Sequence, residues 1–463
     1  MLVLPLALTW FLAVPLALLD GRRRWVGWLA VAGVGASFLA TLRLAVAVFT
    51  DGTQTIVVGG WPSGVGITLR ADALGVAFAV LSSGVILAAL TYEVLGGVHE
   101  RPLPALVLFL ATGLNGLFLT GDAFNFYVFF EIAMTSSFVL ASYGQAGRRT
   151  RELRAALIFT VVNLLGSTLF LAGIAALYRV TGTLEMASIA AHFRTVEPNS
   201  AVLIATLIFV AFGIKVGLFP FHFWLPPVYR DAWPAVAAIL SGALANIGGY
   251  GLIRFGGELL ARELRFAAPV LLALGALSVL YGAAQAVGAR TAGEALAYSA
   301  ISNAGYILIA LALGGSIGYA AAVIFALINA LNKTLLFLAV GQRGRLVGAA
   351  FVAGAFSVAG VPPLAGFFGK AALFRAGLAP ADPTARAALL ALLFVGGALA
   401  FVYMFRIYQR EYWERPAAGP ATPLATRLLV LILAGVVIAV GVWPEPLLAL
   451  SEQAGAILGS GMP

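Results

Sequence analysis

Apolar stretches, each close to the length at which a helix crosses a bilayer, follow one another along this chain with short loops between them. Roughly 20 apolar residues suffice for one helical crossing. Fourteen such stretches lie near 2–19, 25–49, 73–96, 102–120, 124–143, 155–178, 201–225, 233–255, 266–288, 295–313, 317–340, 348–376, 386–408 and 426–449. A chain of 463 residues that is 62% hydrophobic and only 10% charged cannot hide its apolar surface in one globular core. The bilayer must act as its solvent. The expected fold is an all-α polytopic membrane protein of about fourteen transmembrane helices, forming a single membrane domain over 1–463. The first stretch precedes its charges, Arg22 to Arg24, where a cleavable signal would follow them, so it reads as a retained spanning helix.

Several classes of chemistry are disfavoured. The chain has no cysteine, so neither disulfides nor thiolate metal sites can form. His99, His192 and His222 are scattered without metal-ligand spacing, and no nucleotide-binding glycine motif is present. No metal and no cofactor is expected. The net charge of +9 would suggest nucleic acid in a soluble protein. Here the arginines sit in short loops, where they orient the chain in a membrane. Arg22, Arg23, Arg24, Arg101, Arg148, Arg149, Arg151, Arg154, Arg230, Arg290, Arg343, Arg345, Arg410 and Arg415 fall in alternate loops. The positive-inside rule then places both termini outside the cytoplasm of a cell membrane. The longer outside loops, near 50–72 and 179–200, carry no compositional sign of a separate domain.

Two stretches contain helix breakers. The seventh runs through Gly213, Lys215 and Gly217 to Pro220; the twelfth runs through Gly360, Pro362, Pro363 and Gly366 to Lys370. Proline removes a backbone donor and clashes with the preceding turn. Unwound backbone at membrane depth is tolerated only within protein or beside a watery cavity. Two such breaks at corresponding places suggest a transporter built from inverted repeats.

The basic residues are divided unequally. Of 28, only three are lysines, Lys215, Lys333 and Lys370, and all three lie inside apolar stretches. Arginine stays protonated at any biological pH, whereas burial can strip the proton from a lysine. A buried lysine can therefore carry a proton in a way that a buried arginine cannot. A charge at the bilayer centre costs about 2.5–3.5 kcal/mol on insertion scales, so three of them imply a polar interior and an ion pathway. Glu131 is the acid that stands clearly within a stretch, and Lys215 is its expected partner. Separating that pair would expel the lysine's proton. His222, after the first break, is a possible relay; His99, His192, Asp72, Asp122 and Asp231 read as loop or cap residues.

These residues together resemble the antiporter-like membrane subunits shared by Mrp-type Na+/H+ antiporters, respiratory complex I and membrane-bound hydrogenases, and are most similar to the D-type component of the Mrp antiporters. The likeness is carried by Gly121 to Glu131, Lys215 to Pro226, Ala297 to Tyr306, Asn332 to Phe337 and Gly360 to Lys370, with Gly59 to Pro62 ahead of Asp72. It implies fourteen helices with two inverted five-helix repeats, over 96–255 and 266–408, and broken helices seven and twelve. Helices within 1–95 and 426–449 would flank the repeats. It makes Glu131 and Lys215 an ion pair, Lys333 a central relay and Lys370 the distal end of a proton chain. It also implies other membrane subunits as partners, including a second antiporter-like one, with protons and Na+ as the ions moved. The sequence departs from the family at Asn246, where lysine is common, at Asn303 and Asn329, where histidine is frequent, and at Gly293 and Glu294, which replace a basic pair. Asparagine cannot take up a proton at physiological pH, but it can hold water or offer an oxygen to Na+. The competing expectation is a proton-pumping subunit of a redox complex, whose own chain would look nearly the same.

Overall fold

The computed structural model describes residues 1–62, 66–144, 149–414 and 423–459. Arg148 and Arg415 lie outside the described residues. The helices are α1 (Leu4–Leu18), α2 (Arg24–Asp51), α3 (Ala73–Gly96), α4 (Leu103–Phe118), α5 (Ala123–Leu140), α6 (Arg149–Thr181) and α7 (Met186–His192). They continue with α8 (Pro198–Val216), α9 (Leu225–Asp231), α10 (Pro234–Leu259), α11 (Ala261–Gly288), α12 (Ala292–Leu313) and α13 (Gly315–Ala339). The last are α14 (Arg345–Ala359), α15 (Ala365–Gly377), α16 (Pro383–Tyr408), α17 (Leu424–Val442) and α18 (Glu445–Gly459). Among the described residues, eleven helical segments are long and apolar enough to cross a membrane, and α1, α4 and α14 are shorter apolar helices. The chain is a multi-pass helical membrane protein.

Burial separates the inner helices from the outer ones. The apolar windows of α10 and α13 are 94% and 89% buried, against 28% for α2 and 33% for α11. The peripheral helices turn large side chains outward, among them Leu39, Leu157, Phe266 and Phe394. Such a surface suits lipid or a neighbouring subunit. Polar groups gather instead on the inner helices.

One face of the bundle carries a thin layer of non-helical structure. Strands β1 (Gln54–Val57) and β2 (Thr68–Ala71) pair antiparallel. The hairpin docks on the α4–α5 turn, where Arg70 N–H donates to Leu119 and Gly121 N–H to Thr68. That turn in turn holds the segment before α7 through Ala123 N–H to Leu184 and Met186 N–H to Gly121. The sequence carried no compositional sign of a separate domain in these loops, and four-residue strands carry too little pattern to stand out. This side of the bundle is its hairpin face. Helices that start there are capped by acids: Asp72 accepts from Gly75 N–H, Asp122 from Asn125 N–H and Glu197 from Asn199 and Ser200. A carboxylate there satisfies free donors and complements the helix dipole.

The seventh and twelfth stretches are broken where expected. α8 ends at Gly217, whose φ of +70° only glycine adopts easily, and the chain resumes as a tight turn over Phe221–Trp224 before α9. Side chains satisfy the freed backbone: Trp224 Nε1 donates to the Ile214 carbonyl, and Ser278 Oγ accepts from Phe219 N–H. α14 ends at Gly360 (φ +85°), and Ser357 Oγ accepts from Gly366 N–H across the second break. Pro220 and Pro363 both follow cis peptide bonds.

The last apolar stretch differs from expectation. It is not one helix over 426–449. α17 stops at Val442, and after Trp443 and Pro444 a separate α18 packs its Gly455 and Gly459 against Ser316 of α13.

The loop after α3 carries a titratable contact. His99 Nδ1 lies 2.7 Å from Glu93 Oε1, and its ring packs on Trp233 at 4.3 Å. The Glu93 hydrogen bond raises the His99 pKa above its ordinary 6.5, against an opposing effect of burial. The stabilisation is thus complete below the unfolded value and lost as pH rises through the raised folded value. Amide exchange across 97–102, corrected for intrinsic rate, should be slower at about pH 6 than at about pH 8, and His99→Gln should remove the difference.

Candidate functional site

The three lysines are buried. Lys333 is 0% exposed, Lys215 3% and Lys370 8%. None forms an ion pair among the described residues.

Lys215 ends α8 just before the first break. Its Nζ donates to Asn163 Oδ1 at 3.2 Å and touches Met134 Sδ, with the Phe130 and Phe159 rings 5.3 and 5.7 Å away. Glu131 does not contact it. The Glu131 carboxylate accepts from Ser167 Oγ. Met134 and Glu131 are three residues apart on α5, and Asn163 and Ser167 four apart on α6. The acid therefore sits about one helical turn, roughly 5 Å, from the lysine's level.

α10 joins the two halves of the site. A side chain on Gly248 would meet the Val216 backbone at 2.7 Å, so α10 touches the chain beside Lys215. Gly242 abuts Thr334 and the Ala330 carbonyl in the same way, beside Lys333. Asn246 lies between these contacts, 7% exposed, its amide donating to the Gly242 carbonyl at 2.8 Å. The helix is π-helical on either side, over Leu240–Leu244 and Leu252–Leu259. Such wide turns recur at functional sites.

Lys333 Nζ donates to the Leu296 carbonyl at 2.7 Å and to Ser299 Oγ at 2.6 Å; Tyr403 donates to the same hydroxyl. Both acceptors of the lysine are uncharged. Next come Asn303 and Asn329, whose amides bond at 2.5 Å. They line a small cavity with Asn332, Ser357 and Lys370. It has about 10 Å³ of free volume, room for one water. Asn332 Oδ1 is buried there without a partner. Lys370 Nζ donates to the Ala359 carbonyl that the second break frees. The structure thus gathers Asn303, Asn329 and Lys370, which lie far apart in sequence.

His222 stands apart from the lysines. Its ring packs on Phe219 and Tyr281, and no hydrogen bond joins it to Lys215. Pro220 and Pro362–Pro363 mark the breaks and line no part of this cavity.

Sequence reasoning missed a second charged group. Asp72, expected only as a cap, also takes both Nη atoms of Arg254 at 2.7 Å. Arg70 bonds Asp72 at 2.9 Å, Glu258 bonds Arg254 at 2.7 Å, and Arg70 and Glu258 bond each other. Asp72 is 0% exposed and Arg254 1%. The available signal was an arginine inside an apolar run with glutamate four residues on. Glu131 is also not the only acid in a helix of this bundle: Glu258 ends α10, and Glu93, 3% exposed, lies in α3.

Residues 120–345 match the family described as NADH:quinone oxidoreductase/Mrp antiporter, transmembrane. A protein of Staphylococcus aureus (strain Mu3) named antiporter subunit mnhD2 is 31% identical over 480 residues, covering 98% of this chain and 95% of that protein. The chain belongs to this antiporter family. Among solved structures, the Mrp complex of Dietzia sp. DQ12-45-1b contains a chain that superposes with a TM-score of 0.86 at 29% identity, covering 98% of each. A chain of respiratory complex I from Thermus thermophilus gives 0.84 at 25% identity, covering 99% of this chain and all of that one. Within the family the chain fits the D-type component of Mrp antiporters.

Proposed function

We propose that this chain is the proton-translocating subunit of a multisubunit Na+/H+ antiporter, moving protons along Glu131, Lys215, Lys333 and Lys370. The observation that carries the reading is the burial of all three lysines of the chain, each bonded to uncharged acceptors and two of them at helix breaks. An ammonium so placed is worth its desolvation only if its proton can leave. Asn246 and the Asn303–Asn329 pair stand between lysines and hold water; they do not titrate. His222 is an entry relay from the break. The separation of Glu131 from Lys215 is one state of a switch whose other state brings them together.

The same reading extends to the architecture. The eleven long segments and the three short apolar helices make fourteen spans, with both termini outside the cytoplasm and the hairpin face outward. Five spans with the fourth broken occur twice, α4 to α10 and α11 to α16, which supports inverted repeats near 96–255 and 266–408. The outward apolar faces suit membrane subunits, including a second antiporter-like one. The second reading, a pumping subunit of a complex I-like enzyme, is favoured by the T. thermophilus likeness.

The test is Glu131→Gln in membrane vesicles containing the whole complex. Sodium-driven proton movement should fall roughly 100-fold, the lower end of the range for a lost proton-transfer group. Unchanged transport would remove Glu131 from the path. Asn246→Leu should also lower transport, and Asn246→Lys should retain more of it than leucine does.

A further inference from the structure

Between Lys215 and the hairpin face the bundle is closed by aromatic rings. Phe212 lies one turn before Lys215 on α8 and packs on Phe170 and Phe255 at 4.8 and 5.4 Å. Phe126 joins Phe255 at 5.2 Å to Tyr250 at 6.1 Å, and Tyr250 also packs on Phe78 and Phe118. These rings come from α3, α4, α5, α6, α8 and α10, and each is at most 1% exposed.

The rings end at charge. Tyr250 donates to the Phe118 carbonyl and accepts from Arg254, which is locked on Asp72. One turn farther along α10, Glu258 with Arg70 borders an open cavity of about 490 Å³, also lined by Thr55, Thr68, Glu185 and Arg194. Thr68 Oγ1 is buried there without a partner. Along α10 the order is therefore Gly248 beside Lys215, Gly251 against Phe212, Arg254 on Asp72, then Glu258 at the cavity.

A buried ion pair is weak support for stability, since apolar residues of similar volume often serve as well. As a barrier it has distinct value. Apolar constrictions exclude water, and the Asp72–Arg254 pair, whose donors and acceptors are spent on each other and on their neighbours, offers a proton no free site. We propose that the aromatic stack and the Asp72–Arg254 pair together form a seal between Lys215 and the hairpin face, which keeps water and protons from crossing there. The proposal rests on the proton-carrying role given to Lys215, but its test does not use that role.

The test measures passive leak without sodium, in sealed vesicles containing the whole complex. Asp72→Asn with Arg254→Gln removes both charges and leaves neither unpaired. Phe126→Ala opens the stack without touching charge. Either variant, when assembled, should let an imposed pH gradient decay several-fold faster than the parent. Because the chain has no cysteine, single cysteines can also report water. Thr55→Cys should react with an impermeant thiol reagent applied at the hairpin face, and Met134→Cys, which touches Lys215 behind the rings and is not one of them, should not. Assembled variants that hold the gradient as the parent does, or reaction at Met134→Cys from that face, overturn the seal. If neither leak variant assembles, the cysteine pair decides alone. Loss of the lysine pathway would show instead as transport surviving Lys215→Ala, whatever the leak.

Discussion

Lys215→Ala is expected to lower sodium-driven proton movement by roughly 100-fold or more, the scale of a lost proton-transfer group, while the complex still assembles. Assembly should survive because Lys215 has no ion-pair partner among the described residues, and its removal leaves none of their buried charges unpaired. Asn163 and Met134 lose only a donor. Lys215→Arg sharpens the result. Arginine keeps the charge but cannot release its proton, so it should transport no better than alanine. Were Lys215 a structural cation, arginine would instead restore much of the activity. Proton movement followed with a pH-sensitive dye in everted vesicles, normalised to complex present, separates the outcomes.

Arg254→Ala is expected to be strongly destabilising. It strands Asp72, 0% exposed, without its two shortest bonds, and leaves Tyr250 without the donor on its hydroxyl. Breaking one side of a buried pair costs about 3–5 kcal/mol. Arg70 still reaches Asp72 at 2.9 Å and should offset part of that loss. Thermal unfolding of the detergent-solubilised complex should show the single variant well below the parent. Asp72→Asn in the same chain should recover part of the difference, because the stranded charge is then gone. No recovery would mean that Arg254 acts mainly through packing.

Much of this architecture was legible in the sequence, for identifiable reasons. Spanning helices announce themselves by hydropathy alone, and most stretches match a helix to within a few residues. The breaks were visible because Gly217, Pro220, Gly360 and Pro362 stand in otherwise apolar runs. The lysines were visible because they are so few. What hydropathy cannot carry is which side chains meet. The expected contact of Glu131 with Lys215 is replaced by two contacts one turn apart, and nothing in either stretch encodes that offset. Asp72 and Arg254 are 182 residues apart, so a cap and a span arginine gave no hint of their pairing. α18 was hidden because Trp443 and Pro444 interrupt a run that averages as apolar. The π-helical turns of α10 were equally silent in the sequence.

The central claim is that the chain carries protons within an antiporter and not within a redox pump. It is tested most directly by purifying the protein gently from its native membrane and identifying by mass spectrometry what accompanies it. The account predicts small membrane subunits and another large antiporter-like chain, without flavin or iron–sulfur proteins. Stoichiometric iron–sulfur, flavin or nickel subunits would contradict it and assign the lysine pathway to a redox-driven pump.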